Sequence, residues 1–392
     1  MGLSLINRLL VTSIRQGRPA EIDGGHGVYL FESARSAIYN FLTAQGVGEG
    51  DEVIISSFTC DAVTYAVART GAQVVYVDVN DDLTMNDSAV LDAVSARTKA
   101  VVMQNTFGRL GLQLSTIEHL RAQSLTVIED CALAIGSTLA GRELGSFGDA
   151  AVWSLEVSKT VTLGWGGVLS LNGNKQMNDA IQERLDQIGR VSVLGDIRRV
   201  FQLWFSALMG AAKLPGAVVI WYFMYGFRIF RKSNYFELNR SDKHERMGPF
   251  TQALFHALRP NLSNAFRKTS SNYRRLLAEA KSSGLRVVVA ERAGAVGSVC
   301  VDEVIVTPRI SFVLDELKLE QVAEYADSVG VELGRWFSDA PPPWNLQEAK
   351  IHSCANARRI AQRIVNLPCH WTLSDTEIES LVGVIHYISE LE

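Results

Sequence analysis

The strongest constraint in this 392-residue chain is an alternation. Between Gly27 and about Leu171, short apolar runs rich in β-branched residues recur: VIIS (Val53 to Ser56), VVYVDV (Val74 to Val79), AVVM (Ala100 to Met103) and LTVIED (Leu125 to Asp130). Helix-patterned stretches such as ARSAIYNFLTAQ and TIEHLRAQ lie between them. Strands spaced by helices pair in parallel through crossovers, so the predicted fold class is α/β, a mostly parallel sheet with helices on both faces. Ligands of such sheets bind beyond the carboxyl ends of the strands, and Asp130 ends one run at that place.

The second part of the chain reads differently. A helical stretch after Asn172 leads into an apolar, basic segment from Arg198 to Lys232, and a polar break, KSNYFELNRSDKHE, follows. A long helical pattern is predicted from about Pro249 to Ser282, with Leu254, Leu258, Leu262, Phe266 and Tyr273 at helical spacing. Beyond it the strand patterns LRVVVAE and VDEVIVTPRISFVL alternate with the helix patterns LKLEQVAEYADSVG and DTEIESLVGVIHYISEL. These predict a smaller α+β domain, giving a division into residues 1–245, with an insertion at about 198–232, and residues 246–392.

A net charge of -4 and an ordinary composition argue against nucleic acid as a partner. The five cysteines, Cys60, Cys131, Cys300, Cys354 and Cys369, form no C-x-x-C pair, so neither a metal site nor a disulfide framework is expected and reduced thiols in a cytoplasm fit best. The N-terminus shows neither a secretion signal nor the Ser or Thr of a myristoylation motif.

Three places carry chemistry. Lys159 follows a short strand and precedes the cluster Gly164-Trp165-Gly166-Gly167, a setting that desolvates an amine and makes it a nucleophile, although most lone lysines are solvated surface charges. Asp130 at a strand end suits either a partner for a cofactor's ring nitrogen or the N-cap of a following helix. The turn at Ser33 to Ile38 enters a helix whose free N–H groups attract an anion, with Arg35 adding a charge; taken in isolation, an ordinary capped helix with a solvated Arg is the favoured reading.

Taken in order, these segments resemble the DegT-like family of nucleotide-sugar aminotransferases, pyridoxal phosphate (PLP) enzymes of fold type I. The resemblance runs from about Gly27 to Asn172 and resumes from about Arg246. The family's phosphate-binding Ser-Gly-Thr turn falls on Ser33, Ala34 and Arg35, and its GDEVI strand start on Gly50 to Ile54. Asp130 in Glu-Asp-Cys-Ala takes the place of the aspartate on the pyridine nitrogen. Ser154 and Lys159 keep the spacing of the phosphate-binding serine and the Schiff-base lysine, Gly166-Gly167 closes that motif, and Leu367-Pro368-Cys369-His370 resembles the family's Leu-Pro-x-His.

The resemblance implies an aminotransferase that moves an amino group from glutamate to a nucleotide-linked keto sugar, for glycan precursor synthesis, as a homodimer. Keeping the lysine, which sugar-dehydrating members replace by histidine, favours transamination over the alternative dehydratase. Departures from the pattern, at Cys60 for a stacking aromatic, Leu133 for a polar residue and His244-Glu245-Arg246-Met247 for Asn-Tyr-Arg-Met, keep a non-catalytic regulatory or scaffold role as a third reading. Phe58 is the substitute for the stacking ring. Asn105, Trp165, His244 and Arg246 are the candidate substrate contacts, with a packing role the equal alternative for Trp165 and the residues around Arg246 expected to reach toward the neighbour's cofactor. Composition alone suggests that Arg198 to Lys232, with Phe201, Trp204, Phe205, Trp221, Tyr222, Phe223, Tyr225 and Phe227 between basic flanks, either contacts the inner membrane face peripherally or packs against the partner subunit or roofs the active site. Its apolar stretches are too short for a spanning helix.

Overall fold

The computed structural model describes residues 27–173, 175–212, 244–258, 262–288, 302–339 and 349–392. An eight-stranded sheet organises it, in the order β1-β9-β8-β5-β4-β2-β3-β12. These strands are β1 (Val28–Phe31), β2 (Glu52–Ser56), β3 (Gln73–Val77), β4 (Thr98–Gln104), β5 (Thr126–Asp130), β8 (Ala150–Ser154), β9 (Gly167–Leu171) and β12 (Lys350–Ile351). From β8 to β12 all neighbours are parallel, while β9 runs antiparallel to both β8 and β1. Strand β1 therefore points the same way as β8, and the chain after β1, β2, β4, β5 and β8 emerges at one edge.

The alternation of side chains along the strands separates two cores. Val53 and Ile55, Val74 and Tyr76, Ile128 and Val152 pack on one face, with Ile38, Phe41 and Leu42 of helix α1 (Ala34–Ala44), Val63 of α2 (Asp61–Ala68) and Ile181 of α5 (Lys175–Gln187). Ile54, Val75, Val77, Val101 and Val127 pack on the other, with Val90 of α3 (Asp87–Ala93) and Ile117 and Leu120 of α4 (Leu114–Ala122). Both faces are covered, which is why these strands read as unbroken apolar runs. The expected α/β architecture with its four predicted strands is present.

A third core lies at the C-terminal side. It joins Tyr273 and Leu276 of α8 (Leu262–Ser282), Ile310 and Phe312 of β11 (Arg309–Val313), Val322 of α9 (Glu316–Ser328), Ile360 of α10 (Ala355–Arg363), Val365 and Leu367 of β13 (Ile364–Pro368), and Leu381 and Ile385 of α11 (Asp375–Leu391). Helix α11 starts on a reciprocal cap in which Ser374 and Glu377 satisfy each other's backbone N–H groups. A small sheet of β6 (Thr138–Leu139), β7 (Arg142–Glu143) and β10 (Glu303–Val304) bridges the two parts. Phe58, Phe107 and Leu133 from loops of the large sheet enter the third core, so the C-terminal part closes over the edge where the strands end.

Two expectations are revised. The single helix from Pro249 to Ser282 is two, α7 (Pro249–Leu258) and α8, separated by residues 259–261, which lie outside the described residues. Helix α7 packs with the large sheet, Met247, Leu254 and Leu258 meeting Leu30, Leu155, Leu163 and Val168. Of the Arg198 to Lys232 segment, Arg198 to Ala212 belongs to α6 (Val193–Ala212), which exposes Leu194, Ile197 and Phe201; the rest, with Trp221 to Phe227 and the proposed membrane contact, lies outside the described residues. No described helix is long and apolar enough to cross a membrane.

The Gly166-Gly167 pair has a steric cause. A Cβ on Gly167 would stand 2.3 Å from the carbonyl carbon and oxygen of Ser33 and 2.4 Å from the nitrogen of Ala34, and Gly166 holds φ at 131°. Only a residue without a side chain lets β9 press against the turn that opens α1. Gly167→Ala is expected to destabilise the fold by about 2 kcal/mol, because backbone on both sides cannot yield as a side chain would. Chemical denaturation checks this, and an unchanged midpoint would contradict the packing argument.

Candidate functional site

The edge beyond β2, β5 and β8 gathers the predicted residues. Asp130 ends β5 and is buried; its Oδ1 accepts the N–H of Ala132 at 3.0 Å, and among the described residues its other oxygen accepts no hydrogen bond. Burial drives its carboxyl above the usual range, opposed by the Ala132 N–H and then by the Lys159 charge. Lys159 also lies within electrostatic reach of Cys60, whose thiol burial and neighbouring Asp61 push up to about 12, so that Cys60 stays a thiol. Asp130 and Cys60 thus both lie within the field of Lys159.

Lys159 sits in a tight turn. Its N–H reaches the carbonyl of Glu156 at 3.3 Å, and Ser158 before it holds a left-handed φ of 80°. Two tryptophans from the C-terminal part grip this turn. Trp371 donates its Nε1–H to the carbonyl of Thr160 at 3.2 Å, and the ring centre of Trp336 lies 4.8 Å from the Lys159 Nζ. Ser154, at the end of β8, pairs with Gly167, and Gly167 is pressed on Ser33. Ser33 caps α1 by accepting the Ser36 N–H at 3.1 Å, which leaves the first N–H groups of the helix open to an anion. Arg35, in the first turn, lies with its Cζ 5.4 Å from the ring centre of Tyr65.

Other predicted residues are placed differently. Asn105 is fully buried and belongs to the frame: it donates to Glu129 at 2.8 Å and Cys131 at 3.2 Å and accepts from the Gly111 N–H at 2.9 Å. A substrate contact through this amide is therefore corrected to a structural role. Phe58 is likewise fully buried, set edge-on to Phe337 at 5.6 Å in the C-terminal core rather than open toward Lys159. Trp165 is half-buried between Gly164 and Gly166. Arg246 is tied by its backbone beside β1, bonding Gly189 and Val191, and its Nε is buried without a partner among the described residues.

His244 packs on α1 of its own chain. Its ring stacks on Tyr39 at 4.1 Å, its Nδ1 lies 3.4 Å from the Ser36 hydroxyl, and that hydroxyl is 3.0 Å from the Ser33 hydroxyl. It meets the Ser33 turn through Ser36. Burial pushes its pKa down to about 4; Glu32 opposes this, while Arg69, Arg35 and Arg184 add to it.

Three residues escaped the sequence reading. Glu129 alternates with Asp130 along β5 and points to the other face, where Oε1 accepts the N–H groups of Phe147 at 2.6 Å and Gly148 at 2.7 Å. Its Oε2 accepts from Gly145 and Asn105, each at 2.8 Å. Trp336 had no local motif to announce it. Trp371 had one, since it directly follows His370 of the Leu-Pro-x-His motif.

The donor set fits PLP on structural grounds. A buried carboxylate with an uncommitted oxygen suits a protonated ring nitrogen, a lysine stands within its field, and a capped helix start beside Ser154 suits a phosphate. The buried hydroxyls of Ser57, Thr59 and Thr160 have no hydrogen-bond partner among the described residues, and a bound polar molecule would supply one.

Because His244 is neutral when folded, the unfolded chain binds a proton that the folded chain refuses between about pH 6.5 and about 4. Stability is therefore expected to fall as pH falls through that window. His244→Gln should flatten the loss between pH 7 and pH 5 by about 1–2 kcal/mol, leaving the share of His370, which burial also pushes down to about 4. Urea unfolding at the two pH values reads this, and equal losses in both proteins would overturn it.

Comparison with known proteins accords with this geometry. Residues 24–199 match the model of the DegT/DnrJ/EryC1/StrS aminotransferase family. A GDP-perosamine synthase of Caulobacter vibrioides is 40% identical over 139 residues, 35% of this chain and 37% of that protein. A UDP-N-acetyl-3-dehydro-alpha-D-glucosamine 3-aminotransferase of Acidithiobacillus ferrooxidans is 37% identical over 162 residues, 39% of this chain and 44% of that protein. The matched stretches thus span well under half the length of these relatives. The fold match is wider: a DegT DnrJ EryC1 StrS aminotransferase from Brucella abortus superposes with a TM-score of 0.72 at 19% identity, covering 98% of this chain and 95% of that one. The fold is that of the type I PLP-dependent aminotransferases, and over residues 24–199 the chain is similar to the DegT/DnrJ/EryC1/StrS aminotransferase family.

Proposed function

We propose that the protein is a PLP-dependent aminotransferase that moves an amino group, from glutamate as donor, to a nucleotide-linked keto sugar. The observation that carries this reading is the placement of the buried, half-satisfied carboxylate of Asp130, at the end of β5, within the electrostatic reach of Lys159. Relatives named as a GDP-perosamine synthase and as aminotransferases of UDP- and dTDP-linked sugars support the substrate class. The retained Lys159 favours transamination over dehydration, the reaction named for one fold neighbour, a GDP-4-keto-6-deoxy-D-mannose-3-dehydratase of E. coli. A scaffold role is disfavoured by the cost of burying the Asp130 carboxylate with one oxygen that, among the described residues, accepts no hydrogen bond.

When bound, PLP supplies an electron sink for the carbon that loses its proton. The chain supplies the rest. Ser33, Ala34, Arg35 and Ser154 hold the phosphate, the first three through the helix start and a guanidinium. Asp130 keeps the ring nitrogen protonated, and that proton relieves the burial that raises its own carboxyl. Lys159 Nζ accepts the proton leaving the donor's α-carbon, and in the second half-reaction delivers one to the sugar carbon that gains the amine. Trp371, through Thr160, positions the turn on which that nitrogen rides. The C-terminal part closing over the edge excludes water.

The division at 245/246 separates sheet from closing part only approximately, since α7 stays with the sheet. The family resemblance makes the working unit a homodimer. Light scattering checks this, and a fully active monomer would contradict it. The function is tested by incubating the protein with PLP, 15N-labelled glutamate and a panel of keto-sugar nucleotides. One sugar is expected to gain a labelled amine by mass spectrometry, and Asp130→Asn to lose most of that transfer with the fold intact. Loss of a hydroxyl with no label retained would establish dehydration instead.

A further inference from the structure

Helix α6 is built inside out. Its polar residues Asp196, Arg199 and Gln202, spaced along one side, turn into the protein. Asp196 is fully buried: its Oδ2 accepts the N–H groups of Phe250 at 2.6 Å and Thr251 at 3.2 Å, and its Oδ1 accepts the Thr251 hydroxyl at 2.5 Å. Arg199 pairs at 2.8 Å with Glu32, which follows β1, and Gln202 is buried. The helix is thus docked through its polar side.

The opposite side is apolar and faces out. Val193, Leu194, Ile197 and Phe201 follow the i, i+1, i+4, i+8 spacing of one helical face, and all four are exposed, Leu194 at 78% and Val193 at 56%. Phe250, tied to the same helix by the Asp196 bond, is exposed as well. A surface helix that faces only water shows the reverse arrangement. Clustered exposed side chains of this kind mark a surface that meets something else.

Charge and size select the partner. Between Gln187 and Glu237 the sequence holds seven Lys and Arg against one acidic residue, and that residue is Asp196, whose carboxylate is consumed inside the protein. Arg190, three residues before the helix, is exposed. The apolar face is small: four side chains over about two turns fall well short of the roughly 20–30 residues that each side of a stable protein interface contributes. One apolar helix face among cations is enough for a lipid interface, where the acyl boundary takes the side chains and anionic headgroups take the cations. We propose that α6 lies on the surface of an anionic bilayer, with Val193, Leu194 and Ile197 entering the acyl boundary, and so seats the protein peripherally on a membrane. This contact stands ahead of the Arg198 to Lys232 segment and needs no spanning helix.

The test floats the full-length, PLP-loaded protein with vesicles of phosphatidylcholine alone and of phosphatidylcholine mixed with phosphatidylglycerol; it needs neither substrate nor turnover. Wild type is expected to float with the mixed vesicles at low salt and to be released as salt screens the headgroups. Leu194→Ser combined with Ile197→Ser should weaken partitioning at least about tenfold, because two apolar side chains no longer gain by leaving water. Leu194→Trp, which enlarges the apolar contact, should strengthen it. A wild type that stays unbound with the mixed vesicles, or floats equally with neutral ones, overturns the proposal. A Ser pair that floats as wild type does overturns it too, by assigning the contact to another part of the chain. Light scattering without lipid reads the remaining occupant: a Ser pair that splits a wild-type dimer gives the face to a second copy, and the proposal fails. If circular dichroism shows the Ser pair unfolded, Leu194→Trp decides alone, and unchanged partitioning overturns the idea.

Discussion

The carboxylate of Glu129 is the interaction on which the site's geometry depends. It is fully buried and accepts four hydrogen bonds, three of them from successive parts of the turn at Gly145, Phe147 and Gly148. That turn launches β8, which ends at Ser154 and leads to Lys159. The fourth bond, from Asn105, ties the end of β4 to the same oxygen pair. Because adjacent residues of a strand face opposite ways, fixing Glu129 on one face also fixes Asp130 toward the other. The functional carboxylate inherits its position from the structural one.

Close approach does the same work on the other flank. Without side chains at 166 and 167, β9 lies against Ser33, so the helix start and Ser154 converge on one side of Lys159. The C-terminal part then completes the enclosure from above, through the Trp371 bond to Thr160 and the Trp336 ring under Nζ. The lysine turn is strained at Ser158, and a contact from another part of the chain is what such a turn needs to persist. Its rigidity is thus a property of the assembled fold and not of the local sequence.

Legibility followed locality. Strands β2 to β5 were readable because both faces are buried and each run is apolar throughout. Lys159, Asp130 and Ser33 were readable because each stands in a motif a few residues long. Asn105 misled because its neighbourhood resembles a substrate-facing position, yet the amide is consumed by Glu129, Cys131 and Gly111, partners that lie 24, 26 and 6 residues away. Phe58 misled for a similar reason, its ring being drawn into a core built mainly by residues beyond 270. Trp336 was invisible because its ring meets Lys159 across about 180 residues of chain, and no spacing encodes that.

The central claim is that Lys159 is the single amine through which the cofactor is held and the proton moved. Its most direct test is to load the chain with PLP, reduce with borohydride, digest, and find by mass spectrometry which lysine carries the added phosphopyridoxyl mass. The account predicts that mass on the peptide containing Lys159 alone, and none bound in Lys159→Ala. Labelling of another lysine in wild type, or full labelling of the Lys159→Ala protein, would contradict it.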